Sequence, residues 1–284
     1  MPCVVLVAVP AQAGAAGRAA LERYRPELRY DSGERHFAQE VSPPGRPARE
    51  GGAERLYGHV AREGGKRWLQ YWLFYRDNPQ DRGIFRTGRH EGDWEFIQLR
   101  LGAGGTPDLV TLAQHSWAEG CPWRRLRRVR AGGVELPVVY VANASHASYS
   151  RPGVHDRPFP DHADEADGRG RRLRPPLVRI DDAHPDWVAW RGRWGGSRAG
   201  FIPGEQDSPK GPRFQEDGRW SSPSRFHREL AIPCGSRPPR RAWQTALTVF
   251  LALLLTAAAV ALLRRRLGRD PGARRMRLRG GDSA

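Results

Sequence analysis

Short apolar runs separated by Gly, Asn or Pro recur through the first half of this chain. Four of them, at residues 67–75, 94–101, 108–114 and 134–143, are rich in aromatic or β-branched side chains. Runs of this length and composition, each ended by turn-forming residues, are typical of β-strands. The pattern therefore predicts a mainly β fold, a sandwich-like β-rich domain.

Two longer stretches lack this pattern. Residues 40–54 and 150–215 are rich in Pro, Gly and charged residues, which predicts long irregular loops. Residues 17–30 begin as a helix that Pro26 interrupts. Six tryptophans are predicted to pack, the first three in the strand core and the last three between the 150–215 loop and that core: Trp68, Trp72, Trp94, Trp187, Trp190 and Trp194.

The most apolar segment lies near the end of the chain. Residues 243–263 carry no charge, and Arg264, Arg265 and Arg266 follow directly. As a helix rising about 1.5 Å per residue, the segment reaches roughly 30 Å, the thickness of the hydrocarbon layer of a bilayer. A buried core helix is a weaker interpretation, because arginine clusters flank the segment on both sides. We predict a single transmembrane helix.

Charge sets the expected orientation of that helix. More arginines follow the span than precede it, which places the C-terminal tail in the cytoplasm and the large N-terminal domain outside. Export requires a signal, and residues 3–10 with a small-residue cleavage site at 11–13 form only a weak one. The alternative is a tail-anchored protein with its domain in the cytosol. We favour display on the outer face of a bacterial plasma membrane.

The expected organisation has five parts in chain order. They are a short or truncated signal segment (1–13), the β-rich domain (14–232), a juxtamembrane linker (233–242), the transmembrane helix (243–263) and an arginine-rich cytoplasmic tail (264–284). Cleavage after Ala13 would remove Cys3 and leave Cys121 and Cys234. These two form a disulfide in an oxidising compartment or remain unrelated thiols in a reducing one, and the sequence leaves both open.

The net charge of +16 raises the question of nucleic acid. The arginine-rich run 124–128 could contact phosphate, but no nucleic-acid-binding motif accompanies it. Lys66 and Lys210 are the only lysines among 47 basic residues, which indicates a coding bias rather than a binding surface. Nucleic acid is not an expected partner.

The clearest candidate chemistry lies at the start of the second predicted strand. His90, Asp93 and Glu95 fall within six residues, and Asp93 and Glu95 share a face because strand side chains alternate. Two adjacent carboxylates repel unless a cation, a proton or an arginine compensates them. His115 and His146 each follow a predicted strand and could converge on the same place.

This set suits Ca²⁺, Mg²⁺ or Mn²⁺, and its histidines would also suit Zn²⁺; no organic cofactor is implied. In the structural alternative, His90 and His146 cap loops, and Asp93 and Glu95 pair with arginines such as Arg89 or Arg100.

Three further features receive weaker interpretations. Ser145 and His146 are adjacent, so on a strand they face opposite sides, and no nucleophile elbow accompanies them, which disfavours a serine hydrolase. The acidic stretch 161–168 misses the EF-hand spacing and is expected to be a solvated loop rather than a calcium site. Trp117 and Trp123 lie in a loop, where packing is favoured over an exposed sugar-stacking or membrane-interface role.

The ordered motifs resemble a known family. His90-x-x-Asp93-Trp94-Glu95, then 114–116 (QHS), 137–142 (PVVYVA) and 145–149 (SHASY), are similar to Vps62-like (DUF946) proteins over roughly residues 20–222. A more distant likeness, confined to the first motif, is to the necrosis-inducing proteins. That likeness implies a β-sandwich with a divalent-metal site at His-x-x-Asp-Trp-Glu, while the closer family implies no settled activity.

Three functions remain open from the sequence. The first is a membrane-anchored binding module in which a divalent cation bridges the carboxylates to a glycan or lipid headgroup. The second is a metal-dependent hydrolase of a phosphoester or glycoside, with Glu95 or His146 as general base. The third is a trafficking or scaffolding protein, which only the family name suggests.

Overall fold

The computed structural model describes residues 9–42, 44, 51–80, 89–159, 161–195 and 208–267 of the 284-residue chain. Its helices are α1 (Val9–Arg23), α2 (Pro223–Leu230) and α3 (Ala242–Leu267). Its strands are β1 (Glu27–Tyr30), β2 (Leu56–Glu63), β3 (Lys66–Asn78), β4 (His90–Leu101), β5 (Pro107–Gln114), β6 (Trp117–Pro122), β7 (Arg128–Ala131), β8 (Val134–Val141), β9 (Ser148–Tyr149), β10 (Gly153–His155), β11 (Asp164–Ala166), β12 (Arg172–Leu173), β13 (Leu177–Arg179) and β14 (Ala231–Pro233).

The strands form one large and two smaller sheets. The large sheet has seven strands in the order β13-β2-β3-β4-β5-β6-β14, antiparallel from β2 to β6 with a parallel strand at each edge. The second sheet follows the order β12-β1-β8-β7, with β9 added to β8. A separate hairpin joins β10 to β11. The prediction of a mainly β fold is confirmed.

Strand β3 shows why the large sheet is buried on both sides. Successive side chains of a strand point to opposite faces. Leu69, Tyr71 and Leu73 pack into a core that also contains Leu28 of β1 and Val139 of β8, so this core lies between the two sheets. The large sheet and the second sheet therefore pack face to face, as in a sandwich.

The opposite face of the large sheet is covered by irregular chain and by α2. Trp72 and Phe74 of β3 form a second core with Trp194, Trp220 and Phe226. The expected packing of the 150–215 loop holds at Trp194, whose ring lies 5.5 Å from that of Trp94. The packing favoured for Trp123 is confirmed, because Trp123 is buried, whereas the packing expected of Trp190 is wrong, because Trp190 is 39% exposed.

All four predicted strands are present, and one differs in a way that matters for the site. Strand β4 begins at His90 rather than at Trp94. The whole His90-to-Glu95 motif is therefore part of the sheet, in register with the end of β3 through Asn78↔His90 and Tyr75↔Asp93. His90, which lay outside the predicted strand 94–101, is the first residue of β4.

Helix α3 is long and apolar enough to cross a membrane, and its most apolar window is not buried within the protein. The described residues up to Pro238 form one compact unit, and those from Pro239 onward form a second. Helix α1 ends at Arg23, ahead of Pro26. Most of the predicted signal segment and the tail beyond residue 267 lie outside the described residues.

Candidate functional site

A polar cavity of about 200 Å³ opens where β4 begins and β5 ends. Four of the five predicted site residues, His90, Asp93, Glu95 and His115, line it together. The fifth, His146, is fully buried behind the cavity. The remaining lining residues are Asn78, Trp94, Ala113, Ser116, Pro209, Gln215 and Arg219.

Asp93 and Glu95 supply two neighbouring carboxyl groups. They lie two residues apart on β4, opposite Tyr75 and Leu73 of β3, and are only 5% and 7% exposed. Burial and the charge of Asp93 raise the pKa of Glu95 well above its usual value, while Arg219 acts in the opposite direction. Arg219 therefore offsets only part of the cost of a second negative charge beside Asp93.

His146 orients Asp93 from behind the cavity. Its Nδ1 lies 3.0 Å from Oδ2 of Asp93, and its Nε2 lies 3.6 Å from Oε2 of Glu34. The imidazole also stacks on Tyr75, with ring centroids 3.8 Å apart. Burial lowers the pKa of His146, but hydrogen bonds and charges from Asp93 and Glu34 raise it to about 9. His146 is thus a buried cation held between two carboxylates.

Glu34 completes this row of three charges. Burial raises the pKa of Glu34, but His146 and the backbone N–H groups of His36 and Ala144 lower it to about 2. Those two N–H groups each donate to the Glu34 carboxylate at 2.6 Å. The sequence contains no signal for this contact, because Glu34 lies far along the chain from the other two residues.

His90 approaches Asp93 from a second side. Its Nδ1 lies 2.9 Å from the carbonyl oxygen of Gly92, and its Nε2 lies 3.9 Å from Oδ1 of Asp93. Arg100, one of the alternative partners for the carboxylates, instead donates to Asp108 at 2.8 Å. Arg100 therefore does not neutralise Asp93 or Glu95.

His115 lines the cavity but contacts a carboxylate that the sequence did not indicate. Its Nε2 lies 2.7 Å from Oδ2 of Asp164. Asp164 also accepts hydrogen bonds from Gln80 at 2.7 Å, Ser145 at 2.9 Å and Tyr149 at 2.6 Å. Although burial raises the pKa of Asp164, the charges of His115 and Arg157 and the hydrogen bonds with His115 and Tyr149 hold it well below its usual value. The expectation that 161–168 is a solvated loop is wrong at Asp164, which is 1% exposed.

Ser145 and His146 do not act on each other. The hydroxyl of Ser145 donates to Asp164, whereas His146 faces Asp93 and Glu34. The left-handed backbone at His146, with φ of 55°, turns the two side chains toward different partners. This geometry agrees with the interpretation that the pair is not a nucleophile and its base.

The donor set at the cavity fits a hydrated hard cation better than zinc. Within the described ranges, one group of three potential ligands has its atoms within 4.8 Å of one another, and it is Glu119, Cys121 and Cys234. That group is explained otherwise, since the two cysteines form a disulfide. Zinc prefers several preformed nitrogen or sulfur ligands, whereas Mg²⁺ binds through one or two carboxylates and keeps waters. Asp93, Glu95 and the cavity space suit the second case.

Known proteins that are similar to this chain come from the two groups that its motifs resemble. No protein-family model matches the chain. Vacuolar protein sorting-associated protein 62 of Saccharomyces cerevisiae is 26% identical over 206 residues, which is 57% of this chain and 44% of that protein. The chain is similar to the yeast Vps62 proteins. TDA6 of the same yeast is 26% identical over 168 residues, which is 46% of this chain and 36% of TDA6.

The chain spans less than half the length of these two relatives. Among solved structures, NLPPya in complex with mannosamine is 18% identical and covers 58% of this chain and 73% of its own, at a TM-score of 0.37. Necrosis and Ethylene inducing Protein 2 from the causal agent of cocoa's Witches Broom disease covers 56% and 72%, at 15% identity and a TM-score of 0.34. The chain is thus similar to members of both groups that its motifs resemble. The TM-scores are too low to indicate a function.

Proposed function

We propose that this Vps62-like domain binds an oxygen-rich ligand, a glycan or a lipid headgroup, through a divalent cation held in the cavity by Asp93 and Glu95. Mg²⁺, Ca²⁺ and Mn²⁺ suit these ligands, with His90 and His115 at the rim and His146 behind Asp93. A bound cation would supply coordination positions that hydroxyl, carboxylate or phosphate oxygens of the ligand can occupy.

The main support for this proposal is that two buried carboxyl groups, those of Asp93 and Glu95, line one cavity. Burial and the charge of Asp93 raise the pKa of Glu95, and the charge of Arg219 offsets this rise only in part. A divalent cation would provide that offset. The polar lining and the opening of the cavity support an exchangeable ligand rather than a closed structural ion.

The hydrolytic alternative has less support from the same geometry. A general base must lie within hydrogen-bond reach of the water that it activates. His146 is fully buried, and its two ring nitrogens face Asp93 and Glu34 rather than the cavity. Glu95 lines the cavity, but as a ligand of the cation it would not be free to take a proton from water.

A trafficking role is suggested by the name of the yeast relative alone. Vps62 is named for vacuolar protein sorting, and this chain covers 44% of its length. The described contacts provide no chemistry specific to that role. We therefore place the binding function first.

The same proposal includes anchorage of the domain to a membrane by α3, with the domain on the extracytoplasmic side. Helix α3 has the required length and composition. The disulfide between Cys121 and Cys234 supports an oxidising compartment for the domain, since such bonds persist mainly outside the cytosol. Arginines that follow the span support a cytoplasmic tail.

Binding can be tested on the full chain in nanodiscs after treatment with EDTA. Mg²⁺, Mn²⁺ or Ca²⁺ should raise the melting temperature of the wild type and restore binding to a glycan array or to lipid-headgroup strips. Glu95→Gln should lose both responses, whereas Asp108→Asn, at an exposed carboxylate paired with Arg100, should keep both. Equal responses in the wild type and Glu95→Gln would overturn the proposed site.

A further inference from the structure

One buried carboxylate outside the cavity holds two separate segments of the domain together. Glu119 on β6 accepts a hydrogen bond from the backbone N–H of Ser150 at 2.8 Å and another from Gly235 at 2.6 Å. Cys234, next to Gly235, is bonded to Cys121 on the same strand. The start of the juxtamembrane linker is therefore fixed beside the segment 150–159.

Contacts between the linker and this segment continue toward the anchor. Arg151 donates to the carbonyl oxygen of Gly235 at 3.3 Å, and Arg237 pairs with Asp156 at 2.5 Å. Helix α3 begins at Ala242, so the five steps from Arg237 span at most about 18 Å. If α3 crosses a bilayer, as proposed above, the chain length keeps the segment 150–159 close to the bilayer surface.

This segment also carries two of the three large exposed apolar side chains that the structure describes before α3. Among the described residues before α3, the large hydrophobic side chains that are exposed are Val154 at 66%, Phe159 at 48% and Trp190 at 39%. Single exposed apolar residues are common on protein surfaces and need no partner. Here, however, two of the three lie within the ten residues that hold the linker.

Charged side chains of both signs lie near these apolar residues. Arg151 and Arg237 are exposed, Asp156 pairs with Arg237, and exposed Glu165 lies opposite Val154 on β11. Exposed basic residues beside a membrane are attracted to anionic headgroups. Exposed apolar side chains beside arginines suit a bilayer surface, where hydrocarbon lies next to charged headgroups.

We infer that the segment 150–159 is a second membrane contact, in which Val154 and Phe159 enter the headgroup layer of an anionic bilayer and the flanking arginines bind lipid phosphates. This inference rests on the anchorage proposed above and goes beyond it by assigning the side of the domain that faces the lipid. The contact would hold the domain at a defined orientation instead of leaving it free on its linker.

The test places a nitroxide spin label on the full chain with Cys3→Ser, reconstituted in nanodiscs that contain phosphatidylglycerol. Val154→Cys reports the proposed contact, and Phe159→Cys reports it independently if the first variant misfolds. Leu255→Cys, in α3, reports the anchor. Ala183→Cys is the aqueous control, since it follows β13 at the opposite edge of the seven-stranded sheet from β14. Each label is read by its collisions with oxygen, which partitions into lipid, and with a water-soluble nickel complex.

The labels at positions 154 and 159 should be more accessible to oxygen and at least severalfold less accessible to nickel than the label at 183. Labels at 154 and 159 that match the label at 183, while the label at 255 is in lipid, would overturn the second contact and leave the anchor intact. Water access at 255 would instead overturn the anchor. Spin–spin broadening at 154 would assign the surface to a second copy of the chain and would also overturn the inference.

Discussion

Oδ2 of Asp93 lies 3.0 Å from Nδ1 of His146, although the two residues are 53 positions apart in the chain. Asp93 faces the cavity, and His146 reaches it from behind, between Asp93 and Glu34. The contact fixes one candidate cation ligand in place before any cation binds. It also makes the stability of the domain depend on the protonation of a buried histidine.

The contributions of Glu34 and His146 to stability should both be complete only between about pH 4.5 and 6.5 in buffer with EDTA. Glu34, whose pKa falls from 4.5 to about 2, stabilises the fold fully above pH 4.5 and loses this contribution as the pH falls. His146, whose pKa rises from 6.5 to about 9, stabilises fully below pH 6.5 and loses its contribution as the pH rises through 9. At about 1.4 kcal/mol per pKa unit, the alkaline loss is on the order of 3 kcal/mol.

Urea unfolding of the wild type across this pH range measures the effect. His184→Gln removes an exposed histidine and should leave the profile unchanged, whereas His146→Gln should flatten its alkaline side. A wild-type free energy of unfolding that stays constant from pH 6.5 to 9 would contradict the charged state of His146.

Asp164→Asn should destabilise the domain by about 3–5 kcal/mol, because it removes a buried charge that several donors surround. The measurement is the free energy of unfolding in urea. Glu165→Gln changes the exposed neighbour on the same strand and should cost less than about 0.5 kcal/mol. Similar costs for the two variants would show that the contacts of Asp164 contribute little to stability.

Gly92→Ala should destabilise the fold much more than Gly64→Ala. Both glycines have a left-handed backbone, with φ of 66° and 57°, so both variants carry the conformational cost of about 1–2 kcal/mol. A Cβ at Gly92 would in addition overlap the carbonyl oxygen of Trp194, whereas nothing lies within 4 Å of one at Gly64. Thermal melts of both variants measure the difference, and equal melting temperatures would argue against close packing of residue 194 on β4.

Loss of the disulfide should destabilise the domain by about 2–5 kcal/mol, as expected for a bond that closes a loop of this length. The variant is Cys121→Ala with Cys234→Ala, compared with Cys3→Ala. Unfolding in urea measures stability, and mass spectrometry after thiol alkylation tests pairing. Alkylation of both cysteines in the native protein without reductant would contradict the bond.

The strands could be predicted from the sequence because short apolar runs and the turn residues that end them are local signals. The pairing of Asp93 with Glu95 on one face follows from the same period. Glu34 and Asp164 could not be predicted, because their roles depend on which loops the sheets bring together. Asp164 looked like part of a solvated acidic loop, and burial against His115 and Tyr149 gives it the opposite character.

The start of β4 could not be placed correctly for a related reason. The predicted strand began at Trp94, yet pairing with β3 extends it to His90. Tertiary contacts outweighed the local preference, since Gly92 accommodates the backbone of Trp194 without a side chain. The site is therefore built on a sheet rather than on a loop.

Direct counting of bound Mn²⁺ by electron paramagnetic resonance tests the central proposal most closely. Free Mn²⁺ gives a sharp signal that binding broadens, so a titration of the full chain in nanodiscs of neutral lipid gives the number of sites and their affinity. One site is expected for the wild type and for Asp108→Asn, with at least a tenfold loss of affinity in Asp93→Asn and in Glu95→Gln. Binding that is equal in all four proteins, or none in the folded wild type, would contradict a cation site at Asp93 and Glu95.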